Sequence, residues 1–309
     1  MLDLWKSMRY LIVGFGNIGK KRAAVLGKKV TATADPDPKQ DADYIDVHDV
    51  PHQIYDAAVL TIPQQFKYEL TEYFLKIKKH VLVEKPLIIT PAQGKHLAKL
   101  ARENNVICYT SYNHRFEPNI VKIKKLLYKG TIGKLYHARF VYSFGNIKER
   151  IGTWRETEFG VLEEIVPHQL DFAMSFFGYR GDDFKTLIAR KVESEIFDHW
   201  MIATKDNKVI IECGAVTWKN VFSIDIYGEL GSIHLNGLRK WNGGELVVRK
   251  RVFPTGVPKE KLSFDKGPDI TWQKDFQYFE RQILKDKSSL ESDLQMSKAI
   301  DTICKEAKM

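Results

Sequence analysis

The sequence predicts an α/β protein in which a doubly wound parallel sheet is followed by an α+β domain with a large mixed, mostly antiparallel sheet. Three observations lead to this fold class. Short apolar runs alternate with helical stretches over the first third of the chain. A glycine-rich turn, Gly14–Gly19, follows the first apolar run. After Pro118 the pattern changes to closely spaced strand-like runs, which is typical of an antiparallel or mixed sheet.

The first third of the chain is predicted to alternate strands and helices. The predicted strands are Tyr10–Val13, Val30–Ala34, Ala57–Ile62, Val81–Val83 and Val106–Ser111, and the predicted helices are Asn17–Leu26, Glu69–Lys78 and Pro91–Asn104. Gly27 is expected to end the first helix, and Thr90 is expected to cap the third. Two prolines in Asp35–Pro38 disfavour a full helix there, so this crossover is expected to be short.

The rest of the chain is predicted to be rich in strands. The expected strands are Leu135–Tyr142, Lys185–Val192, Trp200–Thr204, Val209–Val216, Phe222–Tyr227, Ser232–Leu235 and Leu246–Phe253, and the expected helices are Ile120–Lys129, Pro167–Phe177, Trp272–Lys285 and Asp293–Lys305. We therefore predict two domains, one over residues 1–118 that contains the parallel sheet and an α+β domain over residues 119–309 that contains the mixed sheet.

The composition is that of a globular protein, with 309 residues of which 44% are hydrophobic and 28% charged. No apolar run approaches the roughly 20 residues of a membrane helix, and Met1–Met8 is too short and polar for a secretory signal. Cys108, Cys213 and Cys304 are widely separated and lack metal-ligand spacing. We expect reduced, mostly buried thiols, no metal site and a cytoplasmic location.

The net charge of +9 arises from 48 Lys and Arg residues against 39 Asp and Glu residues. A lysine-rich surface that favours solubility explains this excess, and attraction of an anionic substrate such as a nucleotide-linked sugar is the alternative. The basic residues are scattered and accompany no recognition motif, so neither nucleic acid nor a membrane is an expected partner.

The glycine turn between the first strand and the first helix is typical of a dinucleotide site. Gly14 permits a tight turn, Gly16 lets a pyrophosphate approach the backbone, and Gly19 lets helix and strand pack closely. Asp35 ends the second strand, where its carboxylate would bind the adenosine ribose hydroxyls. The expected cofactor is NAD, because Asp35 would repel a 2′-phosphate, although the nearby Lys39 leaves NADP possible. The alternative is a plain glycine turn beside a solvated aspartate.

Lys85 follows the apolar run Val81–Val83 and precedes Pro86. The carboxyl ends of parallel strands line one crevice, so a lysine at such an end can face whatever the glycine turn holds. Near a cationic nicotinamide the pKa of its ammonium would fall toward a useful range. The alternative is an ordinary surface lysine.

His168 enters the helix that is expected to stop at Gly178. An imidazole is a natural proton acceptor for an alcohol that is oxidised near neutral pH. Glu164, four residues earlier, would orient this ring if both side chains lie on one helical face, although Pro167 between them disfavours a continuous helix. A core or helix-capping histidine is the alternative.

These features together resemble the glucose–fructose oxidoreductase, inositol dehydrogenase and rhizopine-catabolism family, Gfo/Idh/MocA. The matching segments are the turn Gly14–Gly19, Ala34–Pro38, Thr61–Pro63, His80–Leu87, Tyr112–Pro118, Gly130–Gly133, Gly160–Gly178, and Tyr227–Gly228 with Gly231–Ser232. Departures are Lys67 where a histidine often follows the Thr-X-Pro turn, Lys78 in place of a helix-capping glycine, and Val166-Pro167 before the histidine.

The resemblance implies a Rossmann-type NAD(P)-dependent oxidoreductase acting on a sugar or cyclitol, with Lys85 and His168 as catalytic residues and Glu164 in the place of the usual aspartate. The implied cofactor-binding residues are Gly14, Phe15, Gly16, Asn17, Ile18, Gly19, Asp35, Thr61, Ile62, Pro63, Glu84, Lys85, Asn113, Trp154 and Arg155. The implied substrate-binding residues are Lys85, Tyr112, Arg115, Arg155 and His168.

Three functions follow as expectations. The first is oxidation or reduction of a nucleotide-linked sugar or surface-polysaccharide precursor, with Lys85 and His168 meeting over the nicotinamide ring. The second is a catabolic dehydrogenase of free sugars or cyclitols. The third is a non-catalytic nucleotide-binding sensor, in which loss of the lysine or the histidine would be expected. A homodimer or homotetramer is expected through the exposed face of the second sheet.

Overall fold

The computed structural model describes residues 8–145, 147–153 and 156–307. Contacts divide the chain into two units. The first comprises the residues up to Asn113 together with Trp272–Ser297, and the second comprises His114–Thr271 together with the residues from Lys298 onward.

The first unit contains a parallel sheet in the order β2-β1-β3-β4-β5. Its strands are β1 (Tyr10–Val13), β2 (Val30–Ala34), β3 (Ala57–Leu60), β4 (His80–Glu84) and β5 (Cys108–Ser111), joined in part by helices α1 (Asn17–Leu26), α2 (Gln64–Lys76) and α3 (Pro91–Glu103). The predicted doubly wound sheet is confirmed.

Local signals explain where these elements begin and end. Gly27 ends α1 with a φ of 55°, and Thr90 caps α3 in a reciprocal pair of hydrogen bonds with Gln93. The crossover from β2 to β3 contains short 3₁₀ turns, as the proline content predicts. Helix α2 begins at Gln64 rather than at the predicted Glu69, because Pro63 marks its start while its first turn is largely polar.

The two faces of the parallel sheet are covered by different parts of the chain. Strand β2 lies on one side of β1, whereas β3, β4 and β5 are added on the other side. Because each crossover is right-handed, this change of side places α1 on one face of the sheet and α2 and α3 on the other. Phe276 and Phe279 of helix α7 (Thr271–Leu284) pack with Tyr10, Ile12 and the other residues of the α1 face. Helix α7 therefore fills the area that the crossovers leave uncovered.

The C-terminal segment departs from the predicted division at residue 118. That division assigns residues 272–297 to the second domain, whereas their contacts place them in the first unit. The apolar surface beside α1 supplies the physical reason, and helix α8 (Leu290–Ala307) adds Leu290 and Leu294 to the opposite core. A Cβ on Gly94 would lie only 2.7 Å from the side chain of Leu294. The absence of a side chain at Gly94 therefore permits this close packing.

The second unit contains a mixed, mostly antiparallel sheet in the order β13-β12-β11-β10-β6-β9-β8-β7. Its strands are β6 (Leu135–Ser143), β7 (Phe184–Arg190), β8 (His199–Thr204), β9 (Val209–Gly214), β10 (Val221–Gly228), β11 (Gly231–Asn236), β12 (Gly244–Val252) and β13 (Gly256–Asp265). Strands β6 and β9 are parallel, and the other described pairs are antiparallel. The helices are α4 (Pro118–Tyr128), α5 (Val161–Glu164) and α6 (Val166–Phe177).

Alternation along these strands gives the sheet one covered and one open face. Ala138 and Phe140 are buried on the face that α6 contacts. The intervening Arg139 points to the open face, where it pairs with Glu212 at 2.6 Å. Self-association through this face stays a prediction.

Strand β13 is an element that the sequence did not reveal. It forms the edge of the sheet beside β12, and most of its residues are exposed. Pro258 and the run Lys259–Lys261 place a proline and charges where an internal strand would carry apolar residues. The hydrophobic pattern of an internal strand is therefore missing.

No helix in the described ranges combines the length and apolarity needed to cross a bilayer. Cys108 and Cys213 are buried and Cys304 is half-buried, as the sequence predicts, and the described chain contains no disulfide. Burial raises the pKa of the Cys108 and Cys213 thiols, which keeps them unreactive.

Candidate active site

The three glycines of the turn Gly14–Gly19 have different surroundings. A Cβ on Gly14 would lie 2.6 Å from the Thr61 carbonyl oxygen, and one on Gly19 would lie 2.1 Å from the Gly14 carbonyl oxygen. A Cβ on Gly16 would meet no heavy atom of the described residues within 4 Å. Gly14 and Gly19 therefore serve the packing of the turn, whereas Gly16 borders space that a ligand can enter.

The amino terminus of α1 can receive an anion. Gly16 occupies the N-cap position, where it offers no side chain to the first-turn N–H groups, and the first turn, which begins at Asn17, contains no acidic residue. These N–H groups and the positive end of the helix dipole favour a phosphate.

Asp35 is held against the glycine turn by backbone donors. Its Oδ2 accepts a hydrogen bond from Phe15 N at 2.6 Å, and its Oδ1 accepts one from Asp37 N at 2.9 Å. Each carboxylate oxygen keeps acceptor capacity for a ribose hydroxyl. The residues present thus fit an adenine dinucleotide.

Lys20 adds a cation that the sequence reasoning did not select. Its ammonium lies 5.7 Å from the centre of the Phe15 ring and donates to Gln40 Oε1 at 3.3 Å. A positive charge near the Asp35 loop is compatible with a 2′-phosphate, so the geometry accommodates NADP as well as NAD.

Thr61 connects the carboxyl ends of two strands. Its hydroxyl donates to the carbonyl of Val13 at 3.1 Å and also to that of Gly14, linking β3 to β1 where the strand order reverses. Ligands of open α/β sheets bind at this reversal. Ile62 and Pro63 follow directly and lead into α2.

Alanine substitutions at Gly16 and Gly19 are expected to have separable effects. Gly16→Ala should leave the melting temperature nearly unchanged, because the added methyl group meets no other described atom within 4 Å. It should weaken cofactor binding, because the methyl group enters the space that the pyrophosphate is expected to occupy. Gly19→Ala should lower the melting temperature as well, since its methyl group overlaps the Gly14 carbonyl. Calorimetry and titration with NADH and NADPH distinguish the two, and unchanged affinity in Gly16→Ala would contradict the assignment.

Lys85 follows β4 and is half-buried. The ammonium of the buried Lys67 donates to the carbonyl oxygens of Glu84 at 2.6 Å and of Pro86 at 2.7 Å. Lys67 thereby holds the backbone on both sides of Lys85. In the sequence, Lys67 is noted only as a departure from the histidine that often follows the Thr-X-Pro turn.

The carboxylate of Glu84 has a partner inside the first unit. The fully buried Arg22 donates from Nε to Glu84 at 2.7 Å and from Nη1 to Asp275 at 2.8 Å. Its third nitrogen bonds Ser111, and the Trp272 ring lies 4.3 Å from its guanidinium carbon. Glu84 is thus tied to Arg22, and its contact with the cofactor stays a prediction.

In the second unit, His168 lies near the start of α6 and is buried. Its ring stacks on that of His114, with ring centres 3.9 Å apart and planes inclined by 17°. Tyr142 lies beside both rings, 6.3 Å from His168 and 5.7 Å from His114. The predicted acid/base residue therefore belongs to a pair of imidazoles.

Lys240 completes this cluster. Its Nζ lies 3.2 Å from His114 Nε2 and 3.2 Å from the Tyr142 hydroxyl. Burial lowers the pKa of Lys240, with Asp269, Glu117 and Glu164 acting in the opposite direction. The sequence reasoning missed this lysine because it lies in a turn far along the chain from both partners.

Glu164 and His168 lie on separate helices. Helix α5 ends at Glu164, and α6 begins after Ile165 with Pro167 in its first turn. The predicted contact, in which Glu164 orients His168, requires both side chains on one continuous helical face. That face is not formed, because proline disfavours a helical conformation in the residue before it. The Glu164 carboxylate accepts hydrogen bonds from Arg150 at 3.1 and 3.2 Å, and its predicted orienting role stays a prediction.

Arg115 forms a two-pronged ion pair with Asp171, which lies on α6 three residues after His168. This pair anchors the helix that carries His168. Tyr112 and Asn113 are buried at the end of β5, while Trp154 and Arg155 lie outside the described residues. The predicted ligand contacts of these residues stay predictions. Within the described chain, no group of three or more His, Cys, Asp or Glu could hold a metal ion.

Comparisons with known proteins cover both units. Residues 8–112 match the oxidoreductase family with an NAD-binding Rossmann fold. Residues 120–234 match the GFO/IDH/MocA C-terminal domain.

Curated relatives include scyllo-inositol 2-dehydrogenase (NADP(+)) IolW of Bacillus subtilis, 25% identical over 186 residues, which are 58% of this chain and 51% of the relative. Myo-inositol 2-dehydrogenase of Thermotoga maritima is 34% identical over 89 residues, 27% of each chain. The chain spans about half the length of the first of these relatives.

Solved structures share the fold over nearly the whole chain. Levoglucosan dehydrogenase in complex with NADH superposes with a TM-score of 0.83 at 17% identity, covering 98% of this chain and 97% of the other. A 3-ketoreductase variant from Actinomadura kijaniata in complex with TDP-benzene and NADP gives a TM-score of 0.76 at 16% identity, covering 97% and 98%.

Proposed function

The chain belongs to the GFO/IDH/MocA family, and from this premise we propose that it is an NAD(P)-dependent oxidoreductase that acts on a sugar carbinol or ketone. The observation that carries the proposal is the buried imidazole of His168, stacked on His114 within a cluster of titratable side chains. The glycine turn with its ordered Asp35 supports the cofactor part of the proposal.

In the oxidising direction His168 accepts the hydroxyl proton of the substrate. Lys85 donates a hydrogen bond to the same oxygen and stabilises its developing negative charge. When bound, the oxidised nicotinamide supplies the acceptor for the hydride that leaves the carbinol carbon, so the products are a ketone, reduced cofactor and protonated His168. Reduction reverses these roles, with His168 as the acid.

A nucleotide-linked sugar or surface-polysaccharide precursor is the proposed substrate, because the net charge of +9 favours anionic ligands. The 3-ketoreductase of similar fold is bound to a TDP derivative, which agrees with this class. Free sugars or cyclitols are the second candidate, since the curated relatives include inositol dehydrogenases. NAD is the proposed cofactor because of Asp35, with NADP as the alternative.

The test is turnover of a substrate panel, followed through the absorbance of the reduced nicotinamide. Free sugars, cyclitols and nucleotide-linked sugars are offered with NAD and NADP in turn, and His168→Asn is compared with wild type. We expect activity with at least one panel member and a loss of about 10²–10⁴-fold in kcat for His168→Asn, the usual range for a general acid or base.

Cofactor binding, measured by fluorescence, serves as the control and is expected to remain in His168→Asn. Normal cofactor binding by wild type without turnover of any panel member would contradict the proposal and favour a sensor. Undiminished kcat in His168→Asn would instead remove His168 from the mechanism.

A further inference from the structure

We propose that Lys240 is a positioning residue of this active site, whose ammonium keeps His114 neutral so that His168 alone takes up the substrate proton. The inference rests on the proposed function and adds a residue to it. It concerns side chains of the second unit.

The geometry places the ammonium of Lys240 between two acceptors. The short turn Arg239–Trp241 joins β11 to β12 and carries Lys240 inward, where its Nζ lies 3.2 Å from His114 Nε2 and 3.2 Å from the Tyr142 hydroxyl. The ammonium also lies 4.9 Å from the centre of the Trp241 ring. An aromatic wall and two polar atoms thus hold the ammonium in one place.

The proton shared by Lys240 and His114 belongs on the lysine. An alkylammonium ordinarily has a pKa about four units above that of an imidazolium. Burial lowers the pKa of Lys240, but Asp269, Glu117 and Glu164 favour its charged form. Lys240 therefore donates to His114 Nε2, so the neutral His114 ring carries its proton on Nδ1.

Stacking makes the state of His114 matter for His168. Two imidazolium rings with centres 3.9 Å apart would repel each other strongly, so the pair holds one proton more readily than two. With Lys240 bonded to His114, a proton taken from the substrate resides on His168. The pair thereby has a fixed acceptor instead of two competing ones.

The other charges around the pair come from several elements. Glu164 at the end of α5 pairs with Arg150, and Asp171 on α6 pairs with Arg115. Burial raises the pKa of Tyr142 on β6, so this side chain remains neutral. Both carboxylates have cationic partners, and Lys240 is a charged group bonded directly to His114 of the imidazole pair.

The first test is the pH profile of kcat/KM for oxidation in Lys240→Met, which keeps an unbranched apolar side chain and removes the charge. Loss of the cation lets the imidazole pair keep a proton at higher pH, so the unprotonated base forms only at a higher pH than in wild type. We expect the acid limb to move upward by about one pH unit or more. Lys259→Met on the exposed strand β13 is the matched control and should leave the profile in place.

Lys240→Arg keeps the charge and should leave the limb close to its wild-type position even where kcat falls. A profile of Lys240→Met that is lowered equally at all pH values, with the limb unmoved, would overturn the proposal and leave a structural role.

A second test needs no substrate and therefore survives failure of the proposed function. Long-range ¹H–¹⁵N spectra of wild type should show His114 as a neutral ring protonated on Nδ1, also below the pH at which an ordinary imidazole takes up a proton. Its signals are assigned by their loss in His114→Asn. In Lys240→Met the His114–His168 pair should titrate at higher pH. A wild-type His114 that titrates in the ordinary imidazole range, or that is protonated on Nε2, would overturn the proposal without any Lys240 variant.

Discussion

Replacing Lys85 with alanine is expected to remove nearly all turnover, with kcat reduced by at least about 10²–10³-fold, while cofactor affinity stays within a few-fold of the wild-type value. The amine is the proposed donor to the oxygen on which charge develops, and loss of one such donor costs about 10²–10³-fold in kcat. The diphosphate of the cofactor is expected to bind at the glycine turn and the start of α1, which the substitution leaves intact. Steady-state kinetics and NADH titration measure the two effects separately.

Lys95→Ala is the matched control for this experiment, since Lys95 is an exposed lysine on α3. It should change neither kcat nor cofactor affinity. Parallel losses of turnover and cofactor affinity in Lys85→Ala would mean that Lys85 anchors the cofactor and takes no part in the chemistry.

The second large effect is expected from Arg22→Met. The guanidinium is fully buried and bonds Glu84 and Asp275, of which Asp275 is itself fully buried. Breaking a buried ion pair from one side costs about 3–5 kcal/mol, because a buried charge is left without compensation. Urea denaturation should therefore show a large fall in the free energy of unfolding.

Two further variants identify the cause of that fall. Lys21→Met, an exposed position on the same helix, should change the free energy of unfolding by no more than about 0.5 kcal/mol. Adding Asp275→Asn to Arg22→Met should recover part of the lost stability, since it removes the uncompensated carboxylate. Equal stabilities of Arg22→Met and Lys21→Met would show that the buried network contributes little.

Elements with strong local signals were predicted at or near their observed bounds. The strand Tyr10–Val13 and the helix Asn17–Leu26 agree with the structure at both ends, because the strand is an apolar run and a glycine ends the helix. The strand Val30–Ala34 also agrees at both ends, and Asp35-Pro36 follows it. Strand β13 was missed because an exposed edge strand has no apolar face to reveal it. The packing of α7 on the first sheet was not predicted. It depends on the handedness of the crossovers, which leaves one face of the sheet partly uncovered, and hydrophobic periodicity carries no information about handedness.

The residues of the candidate site were likewise predicted where a local sequence signal exists and missed where it does not. The glycine turn and Asp35 were identified because their partners lie within a short stretch of chain. Lys240 was missed because His114 is 126 residues away and only the folded sheet brings the two together. Arg22 did leave a local signal, since it shares the buried face of α1 with Gly19 and Leu26, where a charge requires a partner.

The packing of α7 on the parallel sheet has a consequence for the order of assembly during translation. Arg22 leaves the ribosome 253 residues before Asp275, and the phenylalanines that cover the α1 face are synthesised next to Asp275. A nascent chain that stops at residue 118 therefore has an unfinished apolar surface and an arginine lacking one of its two carboxylates. The parallel sheet of the first unit is therefore synthesised before the second sheet, but it reaches its mature packing only after the second sheet has been synthesised.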